Sequence, residues 1–189
     1  MFCDLIDVET IRKNKAKDIG LPILGGVYKW WCKKATLIKF LEQLGKNLED
    51  VEEYIEFNKE KQVYCFYVGQ TKSKKGLAER IKSQHVGKSG KKNPYKGRAI
   101  QGSTLRFSIN SLKNGGIIFD EDYVDNVLNG CFVQWVGIED ASRIDKIEKD
   151  EINAFLRILN LDDFEDNDQK FIKIRSEIAK VLSSTRKRK

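Results

Sequence analysis

The sequence is poor in proline, methionine and histidine, with two, one and one in 189 residues, and it has no low-complexity tract. Hydrophobic residues make up 40% and charged residues 33%, the balance of a folded chain, so extensive disorder is not expected outside the basic tail. A long uncharged apolar run is missing, which argues against a membrane-spanning helix. The opening MFCDLIDVET brings acids in early and has no basic stretch before an apolar core, so a signal peptide is not expected. Neither is a structural zinc site. Cys3, Cys32, Cys65 and Cys131 form no CxxC pair, and His85 is the single histidine. Scattered thiols of this kind suit reduced, buried side chains and a cytoplasmic setting. The length fits one well-filled domain spanning residues 1–189.

What the chain does have is charge, unevenly spread. Residues 70–98 hold ten Lys or Arg (Lys72, Lys74, Lys75, Arg80, Lys82, Lys88, Lys91, Lys92, Lys96 and Arg98) against one acid, Glu79, for +9. The tail RKRK, Arg186 to Lys189, adds +4, so within a total of +7 the rest of the chain stands at −6. A basic stripe on an acidic-leaning body points to a polyanionic partner more strongly than overall basicity would. A lysine-rich solvated loop is the plainer alternative, but glycines and Tyr95 interrupt the charges and apolar strands frame them.

Periodicity organises the remainder. GGVYKWW (Gly25 to Trp31) and Val63 to Val68 are β-branched and aromatic runs, expected as strands, as is CFVQWVGI (Cys131 to Ile138). Residues 1–20 read as helical or irregular. ATLIKFLEQLG and NLEDVEEYIEF carry apolar residues at helical spacing, which predicts a helical hairpin over Ala35 to Phe57. A helix is expected from about Leu77 to His85, and residues 86–102 form a basic loop with Gly, Pro and Asn breakers. STLRFSINSLKNGG fits a helix capped by Ser103 or Thr104 and ended by Gly115. Asp140 to Asn160 reads as one long helix with Ile144, Ile147, Ile152, Phe155, Leu156 and Leu159 on its apolar face, and a last helix is expected from about Asp168 to Ser183 ahead of the tail.

Two strands carry tyrosine-glycine tripeptides, GVY at Gly26 to Tyr28 and YVG at Tyr67 to Gly69. A helix with Arg80 in LAERI follows, and much later Glu148, Ile152 four residues on and Asn160 twelve residues on. Each piece alone is ordinary; the ordered set resembles the GIY-YIG nuclease superfamily over roughly Gly25 to Asn160, with valine replacing isoleucine in both tripeptides. The character is nearest to its type II restriction endonucleases. The resemblance implies an α+β fold, a small antiparallel three-stranded sheet flanked by helices. Here a helical insertion, residues 34–61, separates the first two strands. That insertion could grip DNA, mediate dimerisation or merely decorate the fold. The C-terminal helix and tail occupy residues 166–189.

The implied chemistry is hydrolysis of a DNA phosphodiester. Arg80 suits the phosphate, because a guanidinium is permanently charged and donates in a fork. Glu148 suits one Mg²⁺, or Mn²⁺ in its place, a hard ion that prefers oxygen and polarises the phosphate or the leaving oxygen. Glu151 lies three residues on, nearly on the same face; Glu148 is preferred because Ile152 and Asn160 then fall at the family spacings. The resemblance implies that Tyr28 is a general base or positions the attacking water, and that Tyr67 orients water or phosphate. A phenol near pKa ~10 needs a nearby cation to serve as a base, from Arg80, His85 or Lys72. The family often places His or Tyr four residues after the arginine; here that position is Gln84, and His85 reaches the role only through a helix irregularity. Asn160 either hydrogen-bonds backbone near the site or ends a helix. Lys72, Lys74, Lys75, Lys88, Lys91, Lys92, Tyr95, Lys96 and Arg98 are the expected nucleic-acid contacts.

Double-stranded DNA is thus the expected partner, with a homodimer when both strands are cut and no membrane. A catalytically silent nucleic-acid-binding module is the first alternative, weakened by the carboxylate, which would repel phosphate. A repair or mobile-element nuclease of the same superfamily is the second. A protein-interaction domain with merely solvated lysines is the third, and the uneven charge speaks against it.

Overall fold

The computed structural model describes residues 1–87, 103–113, 120–160 and residues 176, 177 and 180. At its centre is an antiparallel sheet of five strands: β1 (Ile6–Asp7), β2 (Gly26–Lys33), β3 (Phe57–Asn58), β4 (Val63–Thr71) and β5 (Cys131–Gly137). Their order is β1-β5-β2-β4-β3. The three long strands are those the sequence announces. The two edge strands, of two residues each, correct the three-stranded expectation. Neither is long enough to show period-two patterning, so neither could be read from the sequence.

Both faces of the sheet are covered, which explains why β2 and β4 read as nearly unbroken apolar runs. One face turns Tyr28, Trp30, Cys32, Phe66, Tyr67, Val133 and Trp135 toward a core that α1 (Val8–Lys13), α2 (Lys34–Gln43), α3 (Thr104–Leu112) and α4 (Glu121–Asn129) complete. The other turns Val27, Trp31, Val63, Cys65 and Val68 toward Ile144 and Ile152 of α5 (Ile144–Ala154). Cys32, Cys65 and Cys131 are buried and Cys3 partly so, all as free thiols.

The sequence reading needs three corrections here. Only the first half of the hairpin over Ala35 to Phe57 is an α-helix; the second half is two short 3₁₀ turns, Leu48–Asp50 and Glu52–Tyr54. The long helix over Asp140 to Asn160 stops at Ala154, so Phe155 is left 37% exposed, while Leu156, Leu159 and Asn160 are buried in an irregular segment beyond it that turns at residues 158–159. Helix α4, not foreseen, is capped by Asp120, which accepts the Tyr123 N–H. By contrast α3 forms as expected, with Ser103 as its cap. The last helix falls mostly outside the described residues; residues 176, 177 and 180 are helical, and Glu177 ion-pairs with Lys46 just after α2.

A buried charge network ties α5 and its extension to the sheet. Arg157, fully buried, donates to Glu56 (2.6 Å) and to the Glu151 carbonyl (3.0 Å). Lys29, on the α5 side of β2, pairs with Glu151 (2.6 Å) and Glu56 (3.1 Å). Two cations and two anions neutralise one another, and removal of one leaves the others desolvated without a partner. Arg157→Met should therefore cost about 3 kcal/mol of unfolding free energy. Urea denaturation measures this, and a loss indistinguishable from a surface substitution would mean that the network contributes little.

Candidate active site

The site is assembled on the α1–α4 side of β2 and β4, and a fault in the ladder makes it possible. Tyr28 faces Gly69 across the β2–β4 pair, and Trp30 faces Tyr67. The register then slips, with Trp31 opposite Cys65, so Phe66 is an extra residue. In a regular strand Phe66 and Tyr67 would point to opposite faces. The bulge turns both toward the same core, and Tyr67 joins Tyr28 on one face with ring centroids 6.5 Å apart.

Gly69 is required by the tyrosine opposite it. A Cβ there would lie 2.6 Å from the Tyr28 hydroxyl oxygen and 2.7 Å from its ring carbon Cζ. The Tyr28 ring therefore lies across the bare backbone of β4. Gly26 is equally constrained, since a Cβ would meet the Val136 carbonyl oxygen at 2.1 Å. The glycine of each tripeptide makes room for a neighbouring strand.

The segment after β4 winds as a π-helix, Ala78–Val86. Its i→i+5 pattern brings residues five apart to one side, and Arg80 and His85 are five apart. Arg80 Nε donates to the Tyr28 hydroxyl (3.0 Å), and His85 Nε2 lies 2.8 Å from the same oxygen. Tyr67 acts on the same phenol, whose titration it lowers. Gln84, four after Arg80, accepts from Arg80 Nη1 (2.7 Å) and so orients the guanidinium. His85 is wholly buried rather than a surface residue at a helix end. Its Nδ1 lies 2.7 Å from Ser103 Oγ. Arg106 Nη1 donates to the His85 carbonyl (2.9 Å) and to Asp125 (2.8 Å), closing the end of the π-helix.

Burial dominates the electrostatics. Tyr28 titrates above the usual phenol range: desolvation raises it, Arg80 pulls it down, and Glu148 raises it again. The cation expected to lower this pKa is in place, but desolvation wins. His85 is held well below its usual value by burial, then by Arg80 and Arg106, and so is neutral at neutral pH and no cationic aid to Tyr28. Lys72 is spent on Asp145, whose carboxyl Lys72 and Gln70 hold below its usual range.

The two candidate glutamates separate cleanly. Glu151 is engaged by Lys29 and Arg157 within the buried network. Glu148, half-buried one turn earlier on α5, is the carboxylate whose charge acts on Tyr28. Among the described residues no group of three or more His, Cys, Asp or Glu could hold a metal ion. The donor set at Glu148 is one carboxylate, which fits a hard divalent cation that keeps its waters and takes phosphate oxygens, and does not fit a closed zinc site.

Asn160 acts on backbone. Its Oδ1 accepts the Val68 N–H (2.8 Å) and its Nδ2 donates to the Val68 carbonyl (2.7 Å), supplying the two hydrogen bonds that a further strand would have made. Leu159 N–H donates to the Phe66 carbonyl (3.1 Å). The free edge of β4 is thereby fixed on both sides of Tyr67. Lys74 and Lys75 are exposed on the turn ahead of the π-helix. Lys88, Lys91, Lys92, Tyr95, Lys96 and Arg98 lie outside the described residues. Sequence reasoning missed Arg106 and the contact of Ser103 with His85; the only signal was the capping pattern at Ser103, which carries no hint of a histidine 18 residues earlier.

The geometry defines a tyrosine-centred site with a cation and a carboxylate on either side, built on a short antiparallel sheet. A family description, the GIY-YIG catalytic domain, matches residues 26–188, and the chain belongs to that family. The match supports a nuclease of the GIY-YIG superfamily. No curated protein and no solved structure matched the chain.

Two outcomes test this arrangement. Gly69→Ala should destabilise the fold by about 1–3 kcal/mol through the clash with Tyr28, and a mild effect in thermal denaturation would show that the ring can move aside. Below about pH 6.5 an unfolded histidine binds a proton that buried His85 does not. Stability is therefore complete above that pH and falls below it, with a slope approaching about 1.4 kcal/mol per pH unit. Urea titrations at about pH 7 and about pH 5.5 should show a smaller drop for His85→Gln than for wild type, and equal drops would assign the loss to other groups.

Proposed function

We propose that the chain is a metal-dependent endonuclease that hydrolyses DNA phosphodiester bonds, with site-specific cutting of the restriction type. The observation that carries this reading is the convergence of Arg80 and His85 on the Tyr28 oxygen, with Tyr67 and the Glu148 charge acting on the same phenol. A binding module needs neither a buried tyrosine held by a guanidinium nor a carboxylate beside it.

Arg80 pairs with the phosphate and stabilises the charge that builds on its oxygens. Tyr28 accepts or orients the proton of the attacking water, and Tyr67 lies beside it on the same face of the sheet. Glu148 would hold the divalent cation, Mg²⁺ with Mn²⁺ as substitute. When bound, that cation supplies charge to polarise a phosphate oxygen and offsets the carboxylate charge felt at Tyr28. Asn160 holds Val68, and through it the strand that carries Tyr67. Lys74 and Lys75, together with the basic residues from Lys88 to Arg98, follow the backbone of the duplex. Sequence reading by this chain would fall to the residue 34–61 insertion and the basic loop, and cutting of both strands to a homodimer.

Incubation with duplex DNA of mixed sequence tests the reading. Wild type should yield discrete fragments that vanish on chelation and return with Mg²⁺ or Mn²⁺. Glu148→Ala should lose about 10²-fold or more in cleavage, whereas Glu151→Ala should lose stability first and retain cleavage in the fraction that stays folded. Retained DNA binding without cleavage on any substrate would favour the silent binding module.

A further inference from the structure

The hydrogen bonds around His85 have a direction that distances alone do not state. A neutral imidazole has one N–H and one acceptor nitrogen, and its partners decide which is which. Among the described residues Ser103 Oγ has two partners. One is the Arg106 backbone N–H, at 3.1 Å, which can only donate. The other is His85 Nδ1, at 2.7 Å. Ser103 is 5% exposed, so a hydroxyl proton aimed elsewhere would be buried with no acceptor among the described residues. The serine proton therefore goes to Nδ1, and Nδ1 is the acceptor nitrogen. Nε2 then carries the ring proton and donates it to the Tyr28 oxygen 2.8 Å away.

The Tyr28 oxygen has two lone pairs and one proton. Arg80 Nε–H occupies one lone pair and His85 Nε2–H the other. Its own proton is thereby directed away from both donors. The opposite tautomer would reverse the chain: Tyr28 would aim its proton inward at Nε2, and the oxygen would lose one of its two donors.

Building on the nuclease reading above, we propose that Ser103 is a positioning residue of the site: by donating to Nδ1 it fixes His85 as an Nε2–H donor, so that His85 and Arg80 together hold the Tyr28 oxygen with two hydrogen bonds and its own proton is directed away from Nε2. The role of His85 is thus to donate to the Tyr28 oxygen, and not to act as a base or a cation. Burial works against ionisation of Tyr28, and the two donors are what the fold sets against it. The groups facing His85 fit this role. Arg80 on the π-helix and Arg106 on α3 are cationic, and Tyr28 and Ser103 are neutral, so a neutral imidazole is the form that suits the site.

Because His85 is the only histidine, its ring nitrogens give one unambiguous ¹⁵N spectrum in histidine-labelled protein. The wild type should show a protonated Nε2 and an unprotonated Nδ1; the reverse pattern overturns the proposal. In Tyr28→Phe the Nε2–H proton should move upfield on losing its acceptor, and an unmoved resonance overturns it as well. Single-turnover cleavage at saturating DNA should fall about 10²-fold in Ser103→Ala with DNA affinity unchanged, and Ser103→Thr, which keeps the hydroxyl, should restore it. Wild-type rates in folded Ser103→Ala would reduce Ser103 to a helix cap. Should Ser103→Ala fail to fold, the wild-type and Tyr28→Phe spectra decide. The expected spectra without cleavage of any duplex would remove the nuclease reading and leave the hydrogen-bond assignment standing.

Discussion

A phenol oxygen buried at the centre of a sheet is the constraint around which this fold is arranged. Tyr28 is fully buried on the middle strand, and a hydroxyl there must be hydrogen-bonded or cost free energy. Its ring needs a glycine opposite it, a bulge to bring Tyr67 alongside, and a helix to carry Arg80 and His85 to its oxygen. Each local irregularity answers that demand. The bulge and the π-helix each add one residue to a regular element, and each re-aims a functional side chain.

The two faces of the sheet divide the work. The Tyr28 face carries the hydrogen-bonded set and its neutral histidine. The opposite face carries a self-compensating network of Lys29, Glu56, Glu151 and Arg157. Lys29 follows Tyr28 directly in β2, so alternate residues of one strand serve the site and its support. The network pins α5 and the segment after it, and these deliver Glu148 toward Tyr28 and Asn160 to the edge of β4. Of the two neighbouring carboxylates on this helix, Glu151 is bound into the network by Lys29 and Arg157, and Glu148 is the one whose charge acts on Tyr28. Arg106, Ser103 and Asp125 extend the same logic on the α3–α4 side, where a charge pair closes the end of the π-helix that presents His85.

Much of this was legible in the residues. The three long strands, the helix after β4, helix α3 with its cap, and the tyrosines, Arg80, Glu148 and Asn160 all follow from patterning and from ordered tripeptides. Periodicity could not give the two edge strands, which are too short to have a period, or the 3₁₀ turns of the insertion, whose apolar spacing imitates a helix. It also overran α5, because Leu156 and Leu159 are buried beyond the helix, where Leu156 N–H donates to the Tyr54 carbonyl and Leu159 N–H to the Phe66 carbonyl of β4.

The sequence by itself determined the kind of chain: an α+β domain of the GIY-YIG family, with its tyrosines, arginine and glutamate in order, since those depend on residue type and spacing. Only the tertiary structure decided that Glu151 joins the network of Lys29 and Arg157, that His85 rather than Gln84 meets Tyr28, and that Tyr28 titrates high and His85 low. Those outcomes depend on helix winding, strand register and burial, and each is fixed by groups far apart in the chain that meet only when the sheet is packed on both faces.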